Sequence, residues 1–185
     1  NYIFTPAKLS SLKWKPGSGL RVIGSGDYDG VVTEFDLETR TAVFERDAHG
    51  GKRVWSVDYS RHASLGVSGS DDGSMQMWDT RCEDGAYVAA VWPSRFYSME
   101  SSAVCSVEFD PANDNAVAVG CADRRGYLFD VRMMSEPLAV MEGHRQTVTY
   151  VKFAGERRLV TSSVDGQLRL WNVEGEVRTE RIYTG

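Results

Sequence analysis

Three histidines, an aspartate pair and three cysteines are the side chains of this 185-residue chain with the most chemical range. Catalysis or metal binding would need several of them at one place, in the right protonation state and geometry. Cys82, Cys105 and Cys121 are odd in number and lack paired metal-ligand spacing. They read as free thiols in a reducing compartment. Asp71-Asp72 has the composition of an acid–base pair, but Gly73 follows it and the three residues read as a tight turn. Gly24-Ser25-Gly26 lies in a strand-turn pattern, without the following helix that a phosphate-cradling Gly-x-Gly-x-x-Gly loop requires. His62 falls in the polar turn Ser60-Arg61-His62-Ala63 and reads as solvated. No catalytic residue, metal or cofactor is expected. Two clusters have the composition of contact residues instead. One is Gly51-Lys52-Arg53-Val54-Trp55. The other is Trp78-Asp79-Thr80-Arg81, with a softer copy in Phe129-Asp130-Val131-Arg132.

The elements that position these clusters repeat four times. An Asp stands six residues before an aromatic in Asp29…Phe35, Asp72…Trp78, Asp123…Phe129 and Asp165…Trp171. Upstream of each is an alternating segment ending in an aromatic: Ser11-Leu12-Lys13-Trp14, Ser56-Val57-Asp58-Tyr59, Ser106-Val107-Glu108-Phe109 and Tyr150-Val151-Lys152-Phe153. Two markers keep one rhythm of roughly 40–50 residues, the signature of a WD-repeat β-propeller. The fold class is therefore all-β, with about four blades in one partial propeller over residues 1–185. The repeats run roughly over 8–48, 49–98, 103–142 and 143–185.

Each copy reads as four short strands. In the second they fall near Trp55–Tyr59, Leu65–Ser70, Ser74–Asp79 and Ala86–Val91. Asp29-Gly30 and Asp165-Gly166 repeat the Asp72-Gly73 turn, whereas Asp123-Arg124-Arg125 is a weaker turn. An internal hydrogen-bond set is expected in copy four from His144, Ser162 or Ser163, Asp165 and Trp171. Copy two offers His49, Ser68 or Ser70, Asp72 and Trp78. Phe35 and Phe129 have no indole N–H, so copies one and three depend more on packing. Cys82 to Ala103 reads as an outer strand with a long loop, or as a partner-docking loop.

For the first contact cluster, two readings follow from the residues. A loop before an inner strand opens beside the central channel, where an Arg next to a Trp has hot-spot composition. Plain alternation instead puts Trp55 with Val57 and Tyr59 in the core. For the second, Arg81 either docks a partner on the opposite face or pairs with a neighbouring acid.

Bulk properties narrow the function. The net charge of −5 gives no basic field for nucleic acid. No apolar run is long enough to span a bilayer, and no signal peptide opens the sequence, so a nuclear or cytosolic protein is expected. Four copies are few for a closed ring. The termini read as cut inside the repeat, so an internal piece of a longer propeller is expected, with open sheet edges when alone.

Several segments carry a more specific resemblance. Residues 25–32, Lys52-Arg53-Val54-Trp55-Ser56-Val57-Asp58, residues 68–72 and residues 143–153 resemble the propeller of the plant constitutively photomorphogenic ubiquitin ligase. Residues 5–12, Glu34-Phe35-Asp36-Leu37-Glu38, residues 44–51 and residues 119–124 resemble the plant family of repressors of UV-B photomorphogenesis. That resemblance implies a seven-bladed propeller, of which this sequence is a fragment. It further implies a non-enzymatic module that binds the C-terminal tail of the UV-B photoreceptor, promotes its inactive dimer and represses UV-B signalling. In the related ligase a Lys, a Tyr, an Arg and a Trp capture Val-Pro peptides, and these match Lys8, Tyr28, Arg53 and Trp55. Here the loop His49-Gly50-Gly51-Lys52-Arg53 is one residue longer than the ligase's. Trp78, Asp79 and Arg81, with Arg132 behind Phe129, resemble the motif that docks propellers on a cullin-ligase adaptor. The implied partners are thus the photoreceptor, the photomorphogenic ligase and such an adaptor. The alternatives are a cullin-ligase substrate receptor or a generic WD-repeat scaffold.

Overall fold

The computed structural model describes residues 2–82, 87–98, 100–155 and 157–184. They form four four-stranded antiparallel sheets, each built from consecutive strands. The first holds β1 (Leu9–Trp14), β2 (Val22–Asp27), β3 (Val31–Asp36) and β4 (Thr41–Asp47); the second holds β5 (Val54–Tyr59), β6 (Leu65–Ser70), β7 (Met75–Asp79) and β8 (Tyr87–Val91). The third holds β9 (Val104–Asp110), β10 (Asn113–Cys121), β11 (Gly126–Asp130) and β12 (Ala139–Met141); the fourth holds β13 (Val148–Phe153), β14 (Arg158–Ser163), β15 (Gln167–Asn172) and β16 (Arg178–Thr184). This is blade architecture, with the inner strands β1, β5, β9 and β13 adjacent around a channel. In the second blade the strands sit within about one residue of the sequence expectation, and Ala86 lies outside the described residues.

The inner strands are tied by one repeated device. Ser11 Oγ accepts the Val57 N–H at 3.0 Å, Ser56 Oγ the Val107 N–H at 3.1 Å and Ser106 Oγ the Val151 N–H at 3.3 Å. Two residues further along these strands, Asp58 accepts the Phe109 N–H and Glu108 the Phe153 N–H, both at 2.8 Å. Those buried carboxylates are neutralised by Lys13, 2.8 Å from Asp58, and Lys152, 2.6 Å from Glu108. A buried charge is tolerated when it is paired and hydrogen-bonded in this way. Between the ladders, apolar side chains of facing blades interlock, as in Val67, Met77, Val107, Val117 and Phe129.

In blade four the polar network differs from the expected one in its hydroxyl. Trp171 donates its indole N–H to Thr161 Oγ1 (2.8 Å), which contacts His144 Nε2 (2.7 Å), and His144 Nδ1 reaches Asp165 (3.0 Å). Thr161, not Ser162 or Ser163, closes the chain, because it pairs across from Arg169 with its side chain on the Trp171 face. In blade two His49 bridges Ser68 and Asp72, both at 2.8 Å. Trp78 stays outside, its Nε1 buried with no partner among the described residues. The cause is Gly66, which pairs opposite Trp78 where Leu159 stands opposite Trp171. The indole slides into the space a side chain would fill. Trp171→Phe should therefore cost about 1–2 kcal/mol more than Trp78→Phe, since only the first deletes a buried hydrogen bond. Equal losses in chemical denaturation would contradict this difference.

Blade three has neither the His nor the Trp. Its turn is closed by Arg124 in the left-handed region, φ 77°, while Asp123 Oδ1 accepts the Arg125 N–H. Residues from the long loop cover it: Phe96 lies 6.0 Å from Phe129 and Tyr97 6.0 Å from Tyr127, ring to ring. The loop carries a 3-10 turn, Pro93–Phe96, and acts as a brace on its own chain.

Asp165 makes blade four acid-sensitive. Burial pushes its carboxyl up, but the Arg145 and Gln167 N–H groups and His144 outweigh that and hold it at about 2. A folded-state value below the unfolded one of about 3.9 gives stability that is complete above roughly pH 4–5 and lost as pH falls toward 2. Asp165→Asn should flatten that part of an unfolding-versus-pH curve. Parallel curves for the two proteins would refute the assignment.

Candidate functional site

At the end of the blades where the β2–β3, β6–β7, β10–β11 and β14–β15 turns lie, each inner strand begins with the same irregularity. Its pairing skips one residue: Ser10, Trp55, Cys105 and Thr149 are the extra residues in β1, β5, β9 and β13. Such a bulge re-aims one side chain against the alternation of its strand. This removes the core reading of Trp55. It leaves the core side of Val57 and Tyr59 and is 38% exposed. Ser10, Trp55, Cys105 and Thr149, with Thr147 and Tyr150, line one groove of about 400 Å³ over the channel.

A second regularity frames the groove. The residue before each turn Asp donates its N–H to the carbonyl two positions ahead of the bulge. The pairs are Tyr28 to Lys8, Asp71 to Arg53, Ala122 to Ala103 and Val164 to Thr147, at 2.9–3.1 Å. Three structural slots per blade therefore ring the mouth. Blade one fills them with Lys8, Ser10 and Tyr28, and blade two with Arg53, Trp55 and Asp71. Blades three and four fill them with small, apolar or hydroxyl side chains. The charged half of the ring lies on blades one and two.

Across that half three of the four side chains matched by resemblance, Tyr28, Arg53 and Trp55, come together. The Arg53 guanidinium carbon lies 3.9 Å from the Tyr28 ring centroid and 4.5 Å from that of Trp55. Two cation–π contacts thus hold the guanidinium at the rings. Its Nε is buried without a hydrogen-bond partner among the described residues. Trp55 donates Nε1–H to Asp71 Oδ1 at 2.6 Å. Lys8 is exposed and joins through the backbone bond from Tyr28. A cation held against two half-exposed rings suits an extended acidic peptide with apolar residues. Cys105 is a poor nucleophile here, because burial, then Asp71 and Asp123, push its thiol up to about 11.

On the opposite end, Arg81 and Arg132 have one geometry. Each places Nε 2.9 Å from Oδ1 of the Asp two residues before it, and Nη2 against Oδ2. The Arg hydrogen bonds hold Asp79 and Asp130 at about 2. The Arg side chains remain 72% and 69% exposed. Pairing with the neighbouring acid is thus compatible with an open face. Trp78 and Phe129 are fully buried and support the clamps from inside. His62 is exposed yet bonds Asp114 of the next blade at 2.6 Å, so it is a blade-to-blade contact as well as a solvated side chain. No group of three or more His, Cys, Asp or Glu able to hold a metal occurs among the described residues.

The residues missed in the sequence are Ser10, Cys105, Thr149 and Asp71. The signal was present: each bulged residue directly precedes one of the four alternating segments, and Asp71 occupies the position of Tyr28 one blade later.

Blades of this topology, with His–Asp turn networks and a ring of bulged channel residues, define a WD-repeat β-propeller, a platform for binding. The chain belongs to the nucleolar protein 10-like N-terminal β-propeller family, whose match covers residues 35–184. Over its whole length it is 58% identical to WD repeat-containing protein RUP2 of Arabidopsis thaliana and 51% identical to RUP1 of the same plant, covering 50% and 47% of those proteins. It is 41% identical to the Arabidopsis E3 ubiquitin-protein ligase COP1 over 97% of this chain and 26% of the ligase. The chain spans about half the length of the two RUP proteins it matches. The resemblance to the repressors of UV-B photomorphogenesis thus extends along the entire sequence, and that to the photomorphogenic ligase along 97% of it.

Proposed function

We propose that this chain is the peptide-binding part of a negative regulator of UV-B signalling. It takes a Val-Pro-type segment from the C-terminal tail of the UV-B photoreceptor, promotes the receptor's inactive dimer and works in nucleus and cytosol. The observation that carries this reading is the Arg53 guanidinium held between Tyr28 and Trp55 at the channel mouth. A carboxylate of the peptide pairs with Arg53 or Lys8, and its apolar residues lie on the two rings and along the groove. Similarity to the ligase COP1 supports the photomorphogenic ligase as a further partner. Pull-down of the photoreceptor with and without its tail tests the proposal; equal capture of both would sink it.

A second reading, docking on a cullin-ligase adaptor, is favoured by the matching clamps of Arg81 and Arg132 in successive blades. The two roles use opposite ends of the blades. Arg81→Ala together with Arg132→Ala should abolish adaptor pull-down and leave peptide affinity within about twofold, because distant sites act independently. Retained adaptor binding would remove this reading.

A further inference from the structure

We infer that Asp71 is a positioning residue of the peptide site, holding Trp55 in the orientation that clamps Arg53. The inference rests on the peptide-binding reading and names a residue that reading does not include. Repeat geometry leads to it. Blade one supplies Lys8 and Tyr28 from two of its three mouth slots, and blade two supplies Arg53 and Trp55. The slot equivalent to Tyr28 in blade two is Asp71, as the matching backbone bonds Tyr28 N–H to Lys8 O and Asp71 N–H to Arg53 O demonstrate.

The side chain is placed for the role. Asp71 Oδ1 accepts the Trp55 Nε1–H at 2.6 Å, while the Asp71 N–H holds the Arg53 carbonyl at 3.0 Å. One residue thereby fixes both members of the cation–π pair. Trp55 needs such a tether. It is the extra residue of a bulge, is 38% exposed, and has no strand partner of its own. A half-exposed indole without a fixed acceptor samples several rotamers, and ordering it on binding costs affinity. A hydrogen bond donated to a carboxylate is a stronger tether than one to a neutral acceptor. Asp72, next in sequence, is committed to His49 and Ser74 and takes no part in holding the indole.

The test titrates a labelled acidic Val-Pro peptide against the full-length protein, as wild type, Asp71→Leu, Asp71→Asn and Trp55→Ala, with melting temperatures and the Trp55 indole proton followed by NMR. Asp71→Leu should weaken binding roughly tenfold. Asp71→Asn keeps an acceptor oxygen and should recover most of that loss. Wild type should show a downfield, slowly exchanging indole proton that moves upfield in Asp71→Leu. If Asp71→Leu fails to fold, the wild-type indole signal and the Asp71→Asn affinity still decide: an indole proton exchanging like a free one overturns the inference. Wild-type affinity in a folded Asp71→Leu, alongside lost binding in Trp55→Ala, overturns Asp71 alone. No binding by folded wild type removes the peptide reading and this inference with it.

Discussion

Replacing Arg53 and Trp55 together by alanine is expected to weaken binding of an acidic Val-Pro-type peptide by about 2 kcal/mol or more. The argument is geometric. Arg53 is held by contacts to the Tyr28 and Trp55 rings, so little rotamer entropy is left to lose on binding. Removing the guanidinium deletes the charge that meets a peptide carboxylate. Removing the indole deletes both the stacking surface and one half of the clamp. The two single effects should not add, because each residue orders the other; a double-mutant cycle should give a coupling of about 0.5–1 kcal/mol. Stability should change little, since Trp55 sits on a bulge outside the core clusters. Fluorescence polarisation of the peptide with the full-length protein reads the affinities. Unchanged binding by the folded double variant would remove both residues from the site.

Gly66→Ala should destabilise the fold by about 3 kcal/mol, at the upper end of overpacking costs. A Cβ at this position would lie 2.2 Å from Cε2 and Cζ2 of Trp78. That indole is 1% exposed, stacked on Phe44 and edge-on to Tyr59, so displacing it disturbs both ring contacts. The same device recurs one blade earlier, where Tyr59 Oη occupies the space above Gly24. Both glycines are required by the close approach of an aromatic ring rather than by their own backbone angles. Gly17→Ala is the control: φ is +76° but nothing lies within 4 Å, so only the left-handed backbone strain of about 1–2 kcal/mol should appear. Urea unfolding of the two variants gives the comparison. A Gly66→Ala protein as stable as wild type would mean the indole is not held where the structure puts it.

Much of the fold was legible because two independent markers kept one period. The Asp-to-aromatic spacing located the β6–β7 type turns, and the alternating tetrads located the inner strands. Trp55 was not decidable from its own strand. Alternation assigns every second residue to the core, and a bulge overrides it without any Gly or Pro to announce it. The hydroxyl of the blade-four network was misplaced for a related reason. Three consecutive hydroxyl residues, Thr161, Ser162 and Ser163, are equivalent by composition, and only the face on which each side chain falls tells them apart. The open network in blade two was written in the sequence as Gly66, where blade four has Leu159, but its meaning depends on which residue the Trp pairs against. The residues proposed for the peptide site came from resemblance; the contacts of the Arg53 guanidinium with Tyr28 and Trp55 belong to the three-dimensional arrangement alone.

The most direct test of the central claim is a titration of a labelled photoreceptor-tail Val-Pro peptide against the full-length protein, wild type beside Trp55→Ala. Saturable binding by wild type that is lost in Trp55→Ala is the predicted result. No binding by folded wild type, or equal binding by both proteins, would contradict a peptide site at the channel mouth.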